Sequence, residues 1–178
     1  MATRNPIPPA TTLPDDRLLV FVSSAMPRKR APGIGRDRDA AVVAVSTMRD
    51  LFCVWTWEDC AFAGRFRPDD LYIKQAEKAH FLILIIHDRL TPNTKREYDA
   101  SVKNHRGQMI FFREGFRLQS TARDFKRKLR DTTYWQYKNP SELKSSIIKS
   151  LRGNLLRCAE AGIPASVGTT IDYGRLGV

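Results

Sequence analysis

The sequence predicts a single α/β domain in which helices cover both faces of a five-stranded parallel sheet. Five short apolar or aromatic runs alternate with segments of helical character along the 178 residues, and strict alternation is typical of a parallel sheet. Two of these runs, Leu18–Val22 (LLVFV) and Phe81–Ile86 (FLILII), are continuously apolar, as strands buried on both faces are. The length suits one domain, and five strands favour the doubly wound, flavodoxin-like order 2-1-3-4-5.

In the amino-terminal half, the predicted order is a first strand at 18–22, a helix, a second strand and a second helix. Residues 37–51 are predicted to be helical because apolar side chains recur there at helical spacing. Residues 53–57 carry the aromatic side chains that strands favour, and 69–78 is a short helix with acidic residues in its first turn, where the helix dipole favours them. The apolar face of the first helix consists of Ala41, Val45, Met48 and Phe52.

In the carboxyl-terminal half, the very apolar run at 81–86 is predicted to be the centre of the sheet. A helix over 94–104 and a fourth strand over 109–112 (MIFF) follow, with Gly107 between them. A basic helix begins near Ser120 or Thr121, and 134–137 is a weaker fifth strand. Asn139-Pro140-Ser141-Glu142 has the residues of a helix start, with Asn as N-cap. The buried face of this last helix is predicted to carry Leu143, Ile147, Leu151 and Leu155.

Both ends of the chain lack the periodicity of packed elements. Residues 1–16 are rich in Pro and Thr and are predicted to form a flexible arm. Residues 159–178 are predicted to be a tail or linker, which leaves 17–158 as the folded domain. No apolar run approaches the roughly 18 residues that span a bilayer, and Met1–Leu13 has no apolar signal core. We therefore expect a cytoplasmic protein without a membrane partner.

The predicted strand order places a ligand cleft between the first and third strands. These two strands are neighbours whose following loops leave toward opposite faces of the sheet, and ligands bind at such a switch point. The cleft should be lined by Ser23 and Ser24, by residues 87–94 and by the start of the third helix. The two serine hydroxyls could hold a phosphate or a ribose, although small polar residues also end strands routinely.

Glu97 lies near the start of the third helix, beside the predicted cleft. A carboxylate that faces a bound sugar could stabilise an oxocarbenium-like centre or act as a nucleophile, as glycosidic cleavage requires. The alternative is structural, because Thr94-x-x-Glu97 has the spacing of a capping box, in which Glu97 would bond to the start of its own helix. Spacing alone favours the cap.

The chain is strongly basic, with 30 Lys and Arg against 19 Asp and Glu and a formal net charge of +11. Such a field attracts nucleotides, nucleic acid or an acidic protein partner, although a solvated basic surface is an equally good interpretation. Gly33-Ile34-Gly35-Arg36 opens the first helix, where anions are favoured. Arg36 is therefore a candidate phosphate ligand, together with Arg65 in a later loop.

Known phosphate and nucleic-acid motifs are incomplete in this sequence. Arg38 stands where a dinucleotide fingerprint needs its third Gly, and no GxxxxGK run occurs. The basic run at 123–130 could contact nucleic-acid phosphates, but a solvated face is the simpler interpretation. Nucleic acid is therefore a weak candidate partner.

Four further side chains are predicted to shape the cleft. Trp57 could stack on a base, although aromatic residues near a strand are more often core, and Asp59 could bind ribose hydroxyls or merely begin a loop. Asp88 and Thr94 belong to the loop and helix that follow the third strand.

The cysteine and histidine content does not indicate a metal site. Cys53, Cys60 and Cys158 are odd in number and form no CxxC pair, which argues against a disulfide scaffold or a zinc knuckle. His80 and His87 would project from opposite faces of one strand. We expect neither a metal nor a bound cofactor.

Several stretches of the sequence resemble the TIR-like superfamily, and in particular its bacterial branch of small effector-associated domains. Nucleoside deoxyribosyltransferases and nucleotide N-glycosidases are similar in fold. The resemblance covers about Leu18 to Cys158, and its most specific part is REYDAS followed by a Gly and an apolar strand. The stretches that carry it are LLVFVSS, WTWED, YIKQAEKAHFLILII, TKREYDASVKNHRGQMIFF and YWQYKNPSELKSSII.

The resemblance implies an activity and a catalytic residue. In catalytic members of the superfamily, a Glu early in the third helix attacks the ribosyl carbon bonded to the base, or stabilises positive charge there, and Glu97 matches that position. The resemblance also implies ribose or base contacts for Ser23 and Ser24 and for the loop 59–67. It predicts hydrolysis of the N-glycosidic bond of NAD or a related nucleotide in bacterial defence, with self-association or a partner protein for activation. The alternatives are a non-catalytic assembly module and a nucleic-acid-binding accessory domain.

Overall fold

The computed structural model describes residues 17–26, 33–56, 68–129 and 133–160. Strands and helices alternate through these ranges, and all strands of the sheet run parallel in the order β2-β1-β3-β4-β5. The predicted α/β class and strand order are thereby confirmed. The predicted arm at 1–16, and the tail beyond Glu160, lie outside the described residues. The elements are β1 (Leu18–Ser24), α1 (Gly33–Ser46), β2 (Phe52–Trp55), α2 (Pro68–Lys78), β3 (Phe81–Ile86), α3 (Pro92–Lys103), β4 (Gly107–Arg113), α4 (Ser120–Lys128), β5 (Tyr134–Tyr137) and α5 (Pro140–Glu160).

The sheet is buried on both faces, so the domain has two apolar cores. Side chains of β1 alternate between them, with Val20 and Val22 on the face that α1 and α5 cover and Leu19 and Phe21 on the opposite face. All six residues of β3 are buried, which places it at the centre as predicted. The alternation continues to the end of β1 and therefore directs Ser23 and Ser24 to opposite sides of the sheet.

Two helices begin upstream of the ranges that apolar spacing predicts. The first begins at Gly33, in the Gly33–Arg36 stretch expected to open it, because its second turn buries polar residues that an apolar pattern does not mark. The third helix begins at Pro92 rather than Thr94. The last helix begins as predicted, since Asn139 Oδ1 accepts a hydrogen bond from the Glu142 amide at 2.9 Å. None of the helices within the described ranges is long and apolar enough to cross a membrane.

A half-buried histidine, His80, joins three strands at the amino-terminal edge of the sheet. Its Nδ1 accepts a hydrogen bond from the Leu19 amide at 2.9 Å, and its carbonyl accepts one from the Gly107 amide at 3.1 Å. Burial, and then the charge of Arg106, lower the pKa of His80 below its ordinary value. The neutral imidazole is the form that fits the fold, because a protonated Nδ1 could not accept the Leu19 hydrogen bond.

Stability should therefore fall as the pH drops below the ordinary histidine pKa of about 6.5. The unfolded chain then binds a proton that the folded chain does not, so protons favour unfolding, and the contribution is complete only above that pH. Urea unfolding midpoints measured from pH 7.5 to 5.5 should decline in the wild type and decline less in His80→Asn, whose amide oxygen can replace Nδ1. His105→Asn, at an exposed histidine, should keep the wild-type slope. Equal slopes in all three proteins would contradict a role for His80.

Candidate active site

A cleft of about 450 Å³ opens at the carboxyl ends of β1 and β3. Its walls come from the end of β1, the start of α1, the end of β2, α2, and the loop and first turns of α3. Ser23, Ser24, Thr94 and Glu97 all line it, so the predicted position of the cleft is confirmed. The roles of these side chains toward a substrate stay predictions.

Glu97 reaches into this cleft from the second turn of α3. The Ser23 hydroxyl, at the end of β1, donates a hydrogen bond to Glu97 Oε2 at 2.5 Å. Ser23 can make this contact because the alternation of β1 directs it to the face that α3 covers. Glu97 is therefore half-buried in the cleft wall and hydrogen-bonded to the neighbouring strand.

The interpretation of Thr94-x-x-Glu97 as a capping box is wrong. The N-cap is Thr91, whose Oγ1 accepts a hydrogen bond from the Thr94 amide at 3.2 Å. Pro92 takes the first helical position, where its missing N–H costs nothing, and this moves the helix start upstream of the predicted one. Glu97 consequently lies beyond the first-turn amides that a capping side chain serves.

Two arginines, Arg38 and Arg89, line the cleft. Arg89 falls within the range 87–94 that was predicted to line it, whereas Arg38 was not among the predicted site residues. Arg38 is only 6% exposed, and its Nη1 donates to the Ser24 hydroxyl at 3.3 Å. The sequence does indicate that this part of the helix is buried. Val45 and Ala41 are four residues apart, and one further step of four reaches Asp37, the neighbour of Arg38. With Glu97, the two guanidinium groups leave an excess of positive charge among the described lining residues.

An aromatic wall forms another side of the cleft. Phe21 and Trp55 stack with ring centroids 4.9 Å apart, and Tyr72 lies 6.0 Å from Trp55. All three border the cavity, although each is buried, at 2%, 9% and 8% exposure, and belongs to the apolar core of this face of the sheet. The predicted stacking residue, Trp57, lies outside the described residues, as do Asp59 and Arg65.

Two predicted ligands are not brought to the cleft by the structure. Arg36 is exposed on the first turn of α1 and is not among the lining residues. Asp88 is also absent from the lining, and its carboxylate accepts a hydrogen bond from Gln119 Nε2 at 3.0 Å. The backbone N–H of Gln119 also donates to the Asp88 carbonyl, at 2.6 Å. Asp88 therefore holds the residue that precedes α4 in place.

A second group of polar side chains, here named the Asp37 cluster, lies at the same edge of the sheet on the α1 side. It consists of Asp37, His87, Arg113 and Tyr137, and Asp37 is fully buried. Asp37 Oδ2 lies 2.5 Å from His87 Nε2 and accepts a hydrogen bond from the Tyr137 hydroxyl at 2.8 Å. Arg113 Nη1 donates to Oδ1 at 3.1 Å. Burial, followed by the Asp37 charge, raises the pKa of Tyr137, which keeps its hydroxyl a donor.

Within the ranges that the structure describes, no three His, Cys, Asp or Glu side chains are grouped so that they could hold a metal ion. The prediction that the chain binds neither a metal nor a cofactor stays a prediction.

Comparison with known proteins gives only a distant structural likeness. No family model and no curated protein matches the sequence. One solved structure that matches is the metal-soaked Flv1 flavodiiron core from Synechocystis sp. PCC6803, at 10% sequence identity and a TM-score of 0.48. The match covers 78% of this chain and 37% of that chain, so this chain spans little more than a third of that protein's length. A likeness this distant carries no inference about function.

Proposed function

We propose that this chain is a TIR-like domain that hydrolyses the N-glycosidic bond of NAD or a related nucleotide, with Glu97 as the catalytic carboxylate. The observation that carries the proposal is the position of Glu97, which lines the cleft and is oriented across it by Ser23 rather than bound to the start of its own helix. The resemblance of the REYDAS stretch to the TIR-like superfamily points to the same residue.

One carboxylate is sufficient for the reaction when the leaving group is nicotinamide. As the ribosyl C–N bond breaks, its electron pair returns to the positively charged pyridinium nitrogen, and the base leaves neutral without needing a proton. Positive charge develops on the ribosyl carbon, where a carboxylate stabilises it or adds to it. Water then supplies the hydroxyl group to that carbon and releases a proton. A neutral leaving base favours NAD over ordinary nucleosides, whose bases leave more easily when a general acid protonates them.

The remaining walls of the cleft suit the other parts of a nucleotide. The aromatic wall of Phe21, Trp55 and Tyr72 gives one side of the cleft an apolar border, an environment that suits the apolar part of a base. Arg38 and Arg89 offer positive charge to phosphates. A volume of about 450 Å³ falls within the usual range for small-molecule sites.

The direct test is the release of free base. The purified full chain is incubated at low and high protein concentration with NAD, nucleosides and nucleotides, because activation by self-association is expected. Chromatography then separates nicotinamide and other bases from intact substrate. Release of nicotinamide supports the proposal. No product at any concentration, together with a mass that rises with concentration, would favour an assembly module instead.

Ser23→Ala is expected to lower kcat by roughly 10- to 100-fold, the equivalent of one hydrogen bond to a charged group. The Ser23 hydroxyl orients Glu97 Oε2, so its loss should affect turnover more than KM. Ser101→Ala is a matched control, because Ser101 is buried on the same helix and its hydroxyl donates to the Tyr98 carbonyl instead. Nicotinamide release should be followed under steady-state conditions. A wild-type kcat in Ser23→Ala would show that the contact has no catalytic role.

A further inference from the structure

The second turn of α1 is fixed by two consecutive buried residues, Asp37 and Arg38, whose side chains reach to opposite sides. Asp37 contacts side chains at the ends of three strands, namely His87 after β3, Arg113 of β4 and Tyr137 of β5. Arg38 extends the other way, to Ser24 at the end of β1 and into the cleft. The backbone that carries the Arg38 guanidinium is therefore held by the Asp37 cluster.

The same cluster ties α1 to the loop after β3. His87 begins this loop, which carries Arg89 and Thr91 to the cleft wall. Because Asp37 Oδ2 lies 2.5 Å from His87 Nε2, α1 and the start of this loop are held together on the side of the sheet that α1 covers. Arg113 also packs on the Tyr137 ring at 5.3 Å, which limits the movement of both side chains.

We infer that Arg38 and Ser24 form a subsite for the phosphate groups of a nucleotide, and that the Asp37 cluster positions Arg38 for this task. The inference rests on the proposed function for its class of substrate. Arg38 is a planar, permanently charged donor within the cavity wall, and a guanidinium in such a place suits bidentate binding of phosphate oxygens. The adjacent Ser24 hydroxyl donates to the Ala25 carbonyl at 3.3 Å, and it can turn this hydrogen toward a phosphate oxygen instead. Asp37 and Tyr137 are positioning residues, since neither lines the cleft.

The subsite is tested by binding, so that its outcome does not depend on turnover. ADP, adenosine and inorganic pyrophosphate are titrated calorimetrically into the full chain, and every protein carries Glu97→Gln so that no ligand is consumed. Arg38→Met should weaken ADP binding by roughly tenfold or more, as the loss of a charge-assisted contact does, while adenosine binding stays the same. Arg36→Met is the matched control, because it removes the same charge from an exposed position on the same helix, and it should change ADP binding by less than about twofold.

The positioning role is tested with Tyr137→Phe, which removes one hydrogen bond to Asp37 and keeps the ring. It should weaken ADP binding by roughly threefold or more without changing adenosine binding, because a less well fixed Arg38 loses part of its contact energy. A general loss of structure would instead weaken both ligands and lower the melting temperature in parallel.

Each result separates the parts of the inference from one another and from the proposed function. An unchanged ratio of ADP to adenosine affinity in Arg38→Met, or no ADP binding by the parent protein, would overturn the subsite. An unchanged ratio in Tyr137→Phe alone would overturn the positioning role. If these ratios shift as expected but the wild-type protein, which retains Glu97, releases no base from any nucleotide, only the proposed hydrolysis fails.

Discussion

Glu97→Gln should release nicotinamide from NAD at least about a thousandfold more slowly than the wild type, the size of effect that follows removal of a principal electrostatic group. The amide has nearly the shape of the carboxylate but no negative charge, so it cannot stabilise a ribosyl cation or form a bond to it. The substitution should leave the melting temperature unchanged, because the amide oxygen can still accept the Ser23 hydroxyl hydrogen that Glu97 Oε2 accepts at 2.5 Å.

The controls separate loss of chemistry from loss of structure. Glu114→Gln removes an equal charge at a position that is not among the cleft-lining residues and whose carboxylate lies 3.9 Å from Lys138 Nζ, and it should retain full activity. Thermal unfolding and nicotinamide release are measured on the same preparations. If Glu97→Gln keeps more than about a tenth of wild-type kcat, a catalytic carboxylate at this position is excluded, because 1.4 kcal/mol is too small for such a role.

The strand order and the place of the cleft could be predicted from the sequence because both depend on apolar runs. Phe81–Ile86 is buried throughout, and once it is the central strand, the alternation of strands and helices leaves few topologies. The switch point then follows from the strand order, and with it the neighbourhood of Ser23 and Glu97. The contact between these two residues, 74 positions apart in the chain, follows from topology rather than from any local motif.

Sequence reasoning missed two kinds of residue. Some are charged but buried, and others have a residue of the same type a few positions away that was chosen instead. Asp37 and Arg38 are buried, but a search for apolar spacing treats charged residues as exposed, so it marks neither of them as part of the core. At the start of α3, Thr91 and Thr94 both have a side chain that can cap a helix. The hydrogen bond from the Thr94 amide to Thr91 Oγ1 identifies Thr91 as the N-cap. At the second strand, Trp55 and Trp57 are equivalent by composition. The structure ends β2 at Trp55 and places that ring in the cleft wall.

The other large effect is expected from Asp37→Ala, which should destabilise the fold by about 3–5 kcal/mol, as removal of one partner from a buried ion pair does. Asp37 is fully buried, and its carboxylate contacts His87 Nε2, Arg113 Nη1 and the Tyr137 hydroxyl. Its removal leaves the Arg113 guanidinium and the Tyr137 hydroxyl without their common acceptor in a site that has little water. For a chain of this length the loss corresponds to a decrease of roughly 10 °C in melting temperature.

Asp39→Ala is the matched control, because Asp39 is exposed on the same helix and its loss should change stability by no more than about 0.5 kcal/mol. Calorimetry gives the melting temperatures, and a double-mutant cycle with Arg113→Met gives the coupling. Arg113→Met should cost less in the Asp37→Ala background than in the wild type, because the guanidinium no longer has the carboxylate to lose. A wild-type melting temperature in Asp37→Ala, or strictly additive effects in the cycle, would mean that the four side chains do not act as one unit. Without that unit, α1 would have no anchor on the ends of β3, β4 and β5 strong enough to fix Arg38 in the cleft.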